Sequence, residues 1–444
     1  MSLFTRLTSS ASLAIAGAPS LSAASPASAT TPGSPSSPLP TAPALSSPVA
    51  ASPSLRGSEP LASPEHVGSA AATPKAPKAP RRLGYIDIAK AFAIAFIIIG
   101  HTGLVFSADA VPGGMPSAVV RFAFTFHLPV FFIASGYFLR LDARLDGPFL
   151  LKNLRGLILP YALTCTFIVA AAALVGLATS PDEAFFQAKR WVKAALWGAG
   201  ATSPVSLWQT ERIGGIWFLL ALFWVRLLIA ATRRLPDAAR WAVALAVLAL
   251  SVWSANYVWL PLSIQSGLGC MAYVLLGAYI RKWGLFDRRL HPVVWIALAG
   301  LWLACIIWGG RASLAMSVYP LGVLDVLGGV VACFCVMAIA RGVERHSAVP
   351  SRFLQWVGRN TLPLFALHIL EDNILPWGAW GVQLASLTGG AWWTWLVLLA
   401  GRLCVDAALA GLAYAIPGVR LVYFPQLTKA KAKARAGQVP SCTA

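Results

Sequence analysis

Two apolar runs constrain this chain most: Ile88–Ser107 and Ala118–Leu139 are each long enough to cross a bilayer as a helix rising ~1.5 Å per residue. Neither is purely apolar. The first reads Y-I-D-I-A-K-A-F-A-I-A-F-I-I-I-G-H, with ten apolar or small residues between Lys90 and His101, and the second reads F-H-L-P-V-F-F-I-A-S-G-Y-F-L-R, with His127 inside. An ionisable side chain within a membrane segment is expensive, so each marks a functional candidate.

Composition places the whole chain in the same class. Of 444 residues 57% are hydrophobic and 11% charged, where soluble domains carry roughly 25% charged. The net charge of +19 does not signal nucleic acid, because its Lys and Arg cluster in short loops between apolar runs, as the positive-inside rule requires. Cys165, Cys270, Cys305, Cys333, Cys335 and Cys404 lie in apolar runs and Cys442 in the tail. None has metal-ligand spacing to a His, so neither a disulfide framework nor a structural metal is expected.

Residues 1–82 are dominated by Ala, Ser and Pro and cannot bury enough surface to offset the entropy of ordering, so a disordered tail is expected. Arg6 followed by Ser10–Ala18 is a short, Leu-poor match to a signal peptide, and a solvated tail describes it better. A membrane domain over 83–425 and a basic tail over 426–444 follow. The fold class expected is an all-α polytopic membrane protein of about ten spans, near 88–107, 118–139, 154–178, 214–231, 239–259, 264–280, 292–309, 318–340, 360–378 and 391–416.

With this assignment twenty-four Lys and Arg fall on the side of the N-terminal tail and six on the other, which puts both termini in the cytoplasm. The 179–213 loop holds F-F-Q-A-K-R-W-V-K-A-A-L-W, apolar on one face and cationic on another, the pattern of an interfacial helix. Trp217, Trp259, Trp283, Trp377, Trp392 and Trp393 recur near span ends as an aromatic belt.

Counting ~1.5 Å per residue from the cytoplasmic face puts Lys90 ~3 Å deep, His101 ~20 Å, His127 ~18 Å and His368 ~12 Å, with Glu371 and Asp372 at ~17–18 Å. His101, His127 and the Glu371/Asp372 pair thus share a level. His368, Glu371 and Asp372, spaced i, i+3 and i+4, share a helix face. Asp87 lies ~21 Å from His101 along the same helix, so the carboxylate partner of His101 must come from another span, with Glu371 or Asp372 the candidates.

Each group has a plainer reading beside this one. Lys90 at a helix end could snorkel to headgroups, and Arg140, Lys152 and Arg155 could simply set topology. His101 and His127 could be satisfied by backbone carbonyls, and Ser135-Gly136 reads best as a close-packing pair. Glu371 and Asp372 could face a re-entrant turn, because Pro376 can end the span early.

The chemistry these groups can perform together is acyl transfer to a hydroxyl, which needs a base, an oxyanion stabiliser and an anchor for the activated donor. A histidine supplies the base. Lys90, Arg140, Lys152 and Arg155, at the cytoplasmic ends of spans one to three, are the candidate cations for the phosphates of acyl-CoA.

The stretch from Tyr85 to Arg140 resembles the acyltransferase 3 family of membrane acyltransferases, in which Arg or Lys, ten residues and His on helix one precede P-x-F-F-x-x-S-G-[FY]-L on helix two. With D-x-x-K opening helix one and F-H-x-P opening helix two, the chain is most similar to the fucose 4-O-acetylase branch. K-x-x-R-x-x-I-L-P-Y at Lys152–Tyr161, W-F-L at Trp217–Leu219 and N-T-L-P-L-F-A-L-H at Asn360–His368 are similar to further family motifs. The resemblance implies an O-acyltransferase of the bacterial inner membrane that moves an acyl group, usually acetyl from acetyl-CoA, to a sugar hydroxyl of a cell-surface or lipid-linked glycan. It implies that His101 is catalytic and Lys90 its basic partner, while depth adds His127 and Glu371 to the candidate catalytic set. Lys90, where much of the family has Arg, departs from the pattern and loses bidentate phosphate binding. A polytopic carrier exporting a glycan or small molecule would also bury histidines and carboxylates, but it has no need of the Lys90/His101 spacing or the cationic cluster.

Overall fold

A computed structural model describes residues 83–288, 290–309 and 312–426. The Ala/Ser/Pro-rich tail with Ser10–Ala18, the basic C-terminal tail with Cys442, Arg289 and Arg311 lie outside the described residues.

The described chain is helical, with only isolated bridges such as Ser107–Met115. In order the helices are α1 (Gly84–Val105), α2 (Ser117–Tyr137), α3 (Gly147–Leu177), α4 (Pro181–Trp197), α5 (Gly214–Arg234), α6 (Asp237–Ser254) and α7 (Ile264–Gly269). They continue as α8 (Met271–Lys282), α9 (Pro292–Trp308), α10 (Val323–His346), α11 (Ala348–Arg359), α12 (Thr361–Ile374), α13 (Trp377–Leu387), α14 (Thr394–Ala415) and α15 (Pro417–Tyr423).

Seven of them, α1, α2, α3, α5, α6, α10 and α14, are long and apolar enough to cross a membrane. Three of the ten expected spans are shorter helices, two of them with a local cause. The 264–280 run breaks between α7 and α8, where Gly267 and Gly269 weaken the helix and the Cys270 amide is shared between the carbonyls of Ser266 and Gly267. The 292–309 run yields the 17-residue α9. The 360–378 run stops at Ile374, because Pro376 pushes Leu375 into extended backbone and the chain restarts as α13. The amphipathic α11 and most of the apolar α13 occupy stretches outside the ten expected spans. The amphipathic segment at 181–197 does form a helix, with Ser180 Oγ accepting from the Glu183 amide and Gly198 closing it at φ 66°. Its Trp191, Ala194 and Trp197 face the bundle while Phe185 and Phe186 are exposed.

The inner bundle forms around α1, α2 and α8. Gly136 and Gly277 make the α2–α8 crossing possible: a Cβ on Gly136 would sit 1.9 Å from the Val274 carbonyl oxygen, and one on Gly277 2.0 Å from that of Ile133. Without a hydrophobic force between helices in lipid, such close backbone approach is what holds them. The neighbouring Phe126, Phe132, Ile94 and Ile97 are almost completely buried. Tyr137 stacks on Phe286 and Arg281 donates to the Tyr137 carbonyl, so the start of α1, the end of α2 and the end of α8 lie on one side of the bundle.

Gly277→Val should lower the thermal midpoint of the detergent-solubilised protein, at a cost of about 1–3 kcal/mol for overpacking. Gly300→Ala, in a helix where an added Cβ meets nothing within 4 Å, should leave the midpoint unchanged or raise it. Equal midpoints for Gly277→Val and the unsubstituted protein would contradict this packing.

A buried charge cluster as candidate active site

Lys90 and His101 stand eleven residues apart on α1, ~16 Å along the axis, and the structure separates them accordingly. Lys90 Nζ pairs with Asp87 Oδ1 at 2.7 Å within its own first turns. His101 projects into a polar cluster that α12 and α14 supply.

In that cluster His101 Nδ1 lies 3.4 Å from Asp372 Oδ2. This is a long contact without full hydrogen-bond alignment, of the kind that tightens when a substrate closes an active site. Asp372 is the partner, not Glu371. Glu371 turns the other way: its Oε1 accepts from Arg402 Nη2 at 2.7 Å and Nε at 3.1 Å, and its Oε2 accepts from the Trp377 indole. Arg402 Nη2 also donates to Asp372 Oδ1 at 2.5 Å. The same guanidinium nitrogen therefore joins both carboxylates.

His368, fully buried, completes the cluster beside Glu371. Its Nδ1 lies 2.8 Å from Glu371 Oε1 and 3.3 Å from Asp406 Oδ2. Its ring tilts against that of His101 with centroids 5.2 Å apart. Asp406 is 2% exposed and its carboxylate oxygens make no aligned hydrogen bond. A charged group this deep persists only with opposite charge beside it. Arg402 supplies that charge to Glu371 and Asp372, whereas Asp406 faces the His368 imidazole; the guanidinium also packs 5.4 Å from the Trp377 ring.

The i, i+3, i+4 spacing on α12 is readable in the sequence, whereas the sequence reading leaves out Arg402 and Asp406 on α14. Their signal is present: an Arg and an Asp at i, i+4 in an otherwise apolar run are charges a membrane helix does not carry without a partner. Two sets of donor atoms here, those of His101, His368 and Asp372 and those of His368, Glu371 and Asp406, each fall within 4.8 Å of one another, close enough to hold a cation. The guanidinium of Arg402 already provides positive charge between the carboxylates.

α5 begins beside this cluster. The Asn373 side chain donates to the Ile213 carbonyl at 3.1 Å, and a Cβ on Gly215 would lie 3.4 Å from His101 Cε1, so the Gly214-Gly215 turn sits against the imidazole. Gly214 supplies the φ of 75° that the turn needs, a conformation glycine adopts without strain.

The other candidate residues lie apart from the cluster. His127 is buried on α2 with Nδ1 held 2.6 Å from the Ala123 carbonyl of its own helix, the backbone-satisfied reading. Arg140, beyond the end of α2, grips Asp142 through Nε and Nη2 at 3.2 and 2.9 Å and is exposed. Hydrogen bonding to that guanidinium holds the Asp142 carboxyl below its ordinary range. Lys152 and Arg155 are exposed at the start of α3. Of the four cations expected at a donor site, two are thus occupied by neighbouring carboxylates.

No curated protein and no solved structure matches the chain. The family model described as an acyltransferase domain matches residues 83–410, from the start of α1 into α14, and so includes His101, Asp372 and Arg402 together with Glu371, His368 and Asp406. An imidazole facing a clamped carboxylate inside a bundle of membrane-spanning helices is what that match brings together, and the chain belongs to the acyltransferase 3 family of integral, multi-pass membrane acyltransferases.

Proposed function

We propose that the protein is an O-acyltransferase, with His101 as general base, that moves an acyl group, acetyl by the family resemblance, from acyl-CoA on the basic face to a sugar hydroxyl of a surface polysaccharide or lipid-linked glycan in the bacterial inner membrane. The observation that carries this reading is the His101–Asp372–Arg402 chain. Arg402 fixes Asp372 through Oδ1, which leaves Oδ2 for His101 Nδ1. With its Nδ1 proton directed at Asp372, the imidazole keeps its lone pair on Nε2.

The reaction then follows. Nε2 takes the proton of the acceptor hydroxyl as its oxygen attacks the thioester carbon; the C–O bond forms, the C–S bond breaks, and the coenzyme A thiolate leaves with the proton returned from the imidazolium. Asp372 stabilises that imidazolium as it forms. The first amides of α5, beside His101, lack intrahelical acceptors and suit an oxyanion. Glu371 and His368 support the clamp and need not touch substrate.

His101→Ala should cut acetyl transfer by membranes containing the protein roughly 10²–10⁴-fold with expression unchanged, and full activity in that variant would remove His101 from the reaction. Asp372→Asn should act through the same step. In a double-mutant cycle the His101→Ala/Asp372→Asn pair should lose little more than His101→Ala alone, and additive losses would contradict the pairing. Arg402→Met removes the guanidinium shared by two buried carboxylates and should cost about 3–5 kcal/mol of stability in thermal unfolding. Mass spectrometry of surface glycans from cells lacking the protein would identify the acceptor.

A further inference from the structure

Arg226, on α5, is a cation held without an anion. It lies eight residues from the Arg234 end of its helix, ~12 Å into the bundle, where a charge is normally paired. Its Nη1 donates to Asn153 Oδ1 at 3.1 Å and its Nη2 to Ser135 Oγ at 3.1 Å, both neutral. Its Nε, buried, has no hydrogen-bond partner. Among the described residues no carboxylate pairs with it, in contrast to Arg402, Arg140, Arg190 and Arg341. The residue as a whole is nevertheless half-buried.

The surroundings are built around this charge. The Asn153 amide nitrogen donates to the Phe149 carbonyl at 2.8 Å, which orients the amide so that its oxygen faces Arg226. Immediately after Asn153 the helix widens into a π-turn, Leu154–Ile158, an irregularity that concentrates at functional sites. Lys152 and Arg155, exposed on either side of Asn153, extend the positive field outward. Ser135 belongs to the S-G-Y segment whose Gly136 packs against α8, so its backbone is fixed.

We infer that Arg226, seated between Ser135 and Asn153, binds a phosphate group, and specifically the diphosphate of the acyl-CoA donor. This rests on the acyltransferase reading above. Length favours the donor as the source. From Arg226 to Gly215, which touches His101, is eleven residues of α5, ~16 Å. The pantetheine arm runs thirteen bonds from phosphorus to sulfur, and at three backbone bonds per residue an extended chain of that length reaches roughly 15 Å. A diphosphate at Arg226 therefore delivers the thioester to the level of His101. A planar guanidinium with an unused N–H suits a phosphate's paired oxygens better than an ammonium would.

The test is equilibrium binding of coenzyme A and of pantetheine, which lacks the diphosphate, to purified protein in phosphatidylcholine nanodiscs. Arg226→Gln should weaken coenzyme A binding about 10- to 100-fold and leave pantetheine binding unchanged, and Arg226→Lys should fall between. Asn153→Asp supplies the missing carboxylate: it should raise the thermal midpoint while weakening coenzyme A binding comparably, a combination that a purely structural Arg226 would not give. Coenzyme A bound equally well by Arg226→Gln and Asn153→Asp overturns the inference, as does an equal loss of pantetheine. Phosphatidylglycerol vesicles competing through Arg226, with coenzyme A binding indifferent to the substitution, would assign the site to a lipid phosphate and overturn the donor assignment. Failure of the catalytic reading is separate: His101→Ala retaining full transfer would leave these binding results standing.

Discussion

One guanidinium holds the interior of this protein together. Arg402 reaches from α14 to the paired carboxylates Glu371 and Asp372 on α12, and the cost of removing all three charges from water is offset only because they meet with short, bidentate contacts. Everything polar nearby depends on this arrangement. Trp377, at the start of α13, donates to Glu371 because α12 ends just before Pro376, so the proline that shortens the helix also brings the indole back to the carboxylate.

The clamp also separates two roles between adjacent residues. Glu371 and Asp372 differ by 100° around the helix, so one turns toward His368 and the other toward His101. His368 sits between Glu371 and Asp406 in a place with no solvent, whereas His101 keeps part of its surface open and faces the glycine turn of α5. Two histidines at similar depth thus have different surroundings, and only one is placed to meet a substrate. Arg226 supplies the contrast: a guanidinium of the same bundle held by neutral oxygens alone, on the side where α1 begins.

Much of the site was legible in the chain because membrane segments make ionisable residues conspicuous. The level shared by His101 and the Glu371/Asp372 pair and the common face of His368, Glu371 and Asp372 followed from helical rise and period. The same count set His127 at that level and His368 ~8 Å shallower, whereas the His368 ring lies 5.2 Å from that of His101 and His127 is held by its own helix. The choice between Glu371 and Asp372 did not follow, since ~1.5 Å of depth cannot tell which of two neighbouring carboxylates turns toward a facing helix. Lys90 read as a partner for His101 and as a phosphate ligand, yet it pairs with Asp87 one turn away, a local contact that a distant motif spacing conceals. Of the three expected spans beyond the seven helices of sufficient length, two are interrupted because a hydropathy run does not register where Gly267, Gly269 or Pro376 breaks the backbone, and the third is the 17-residue α9.

By itself the sequence determined the class of molecule: long apolar runs in a chain with few charges leave helices as the available way to satisfy backbone groups in lipid, and the polar exceptions mark the chemistry. Which exceptions meet was decided by tertiary structure alone. Arg402 and Asp406 on α14 stand about thirty residues from the carboxylates of α12, and Arg226 on α5 over seventy from Asn153. Pairing across such distances depends on how helices rotate about their axes and how closely glycines let them approach, and neither is written in the pattern of a single helix.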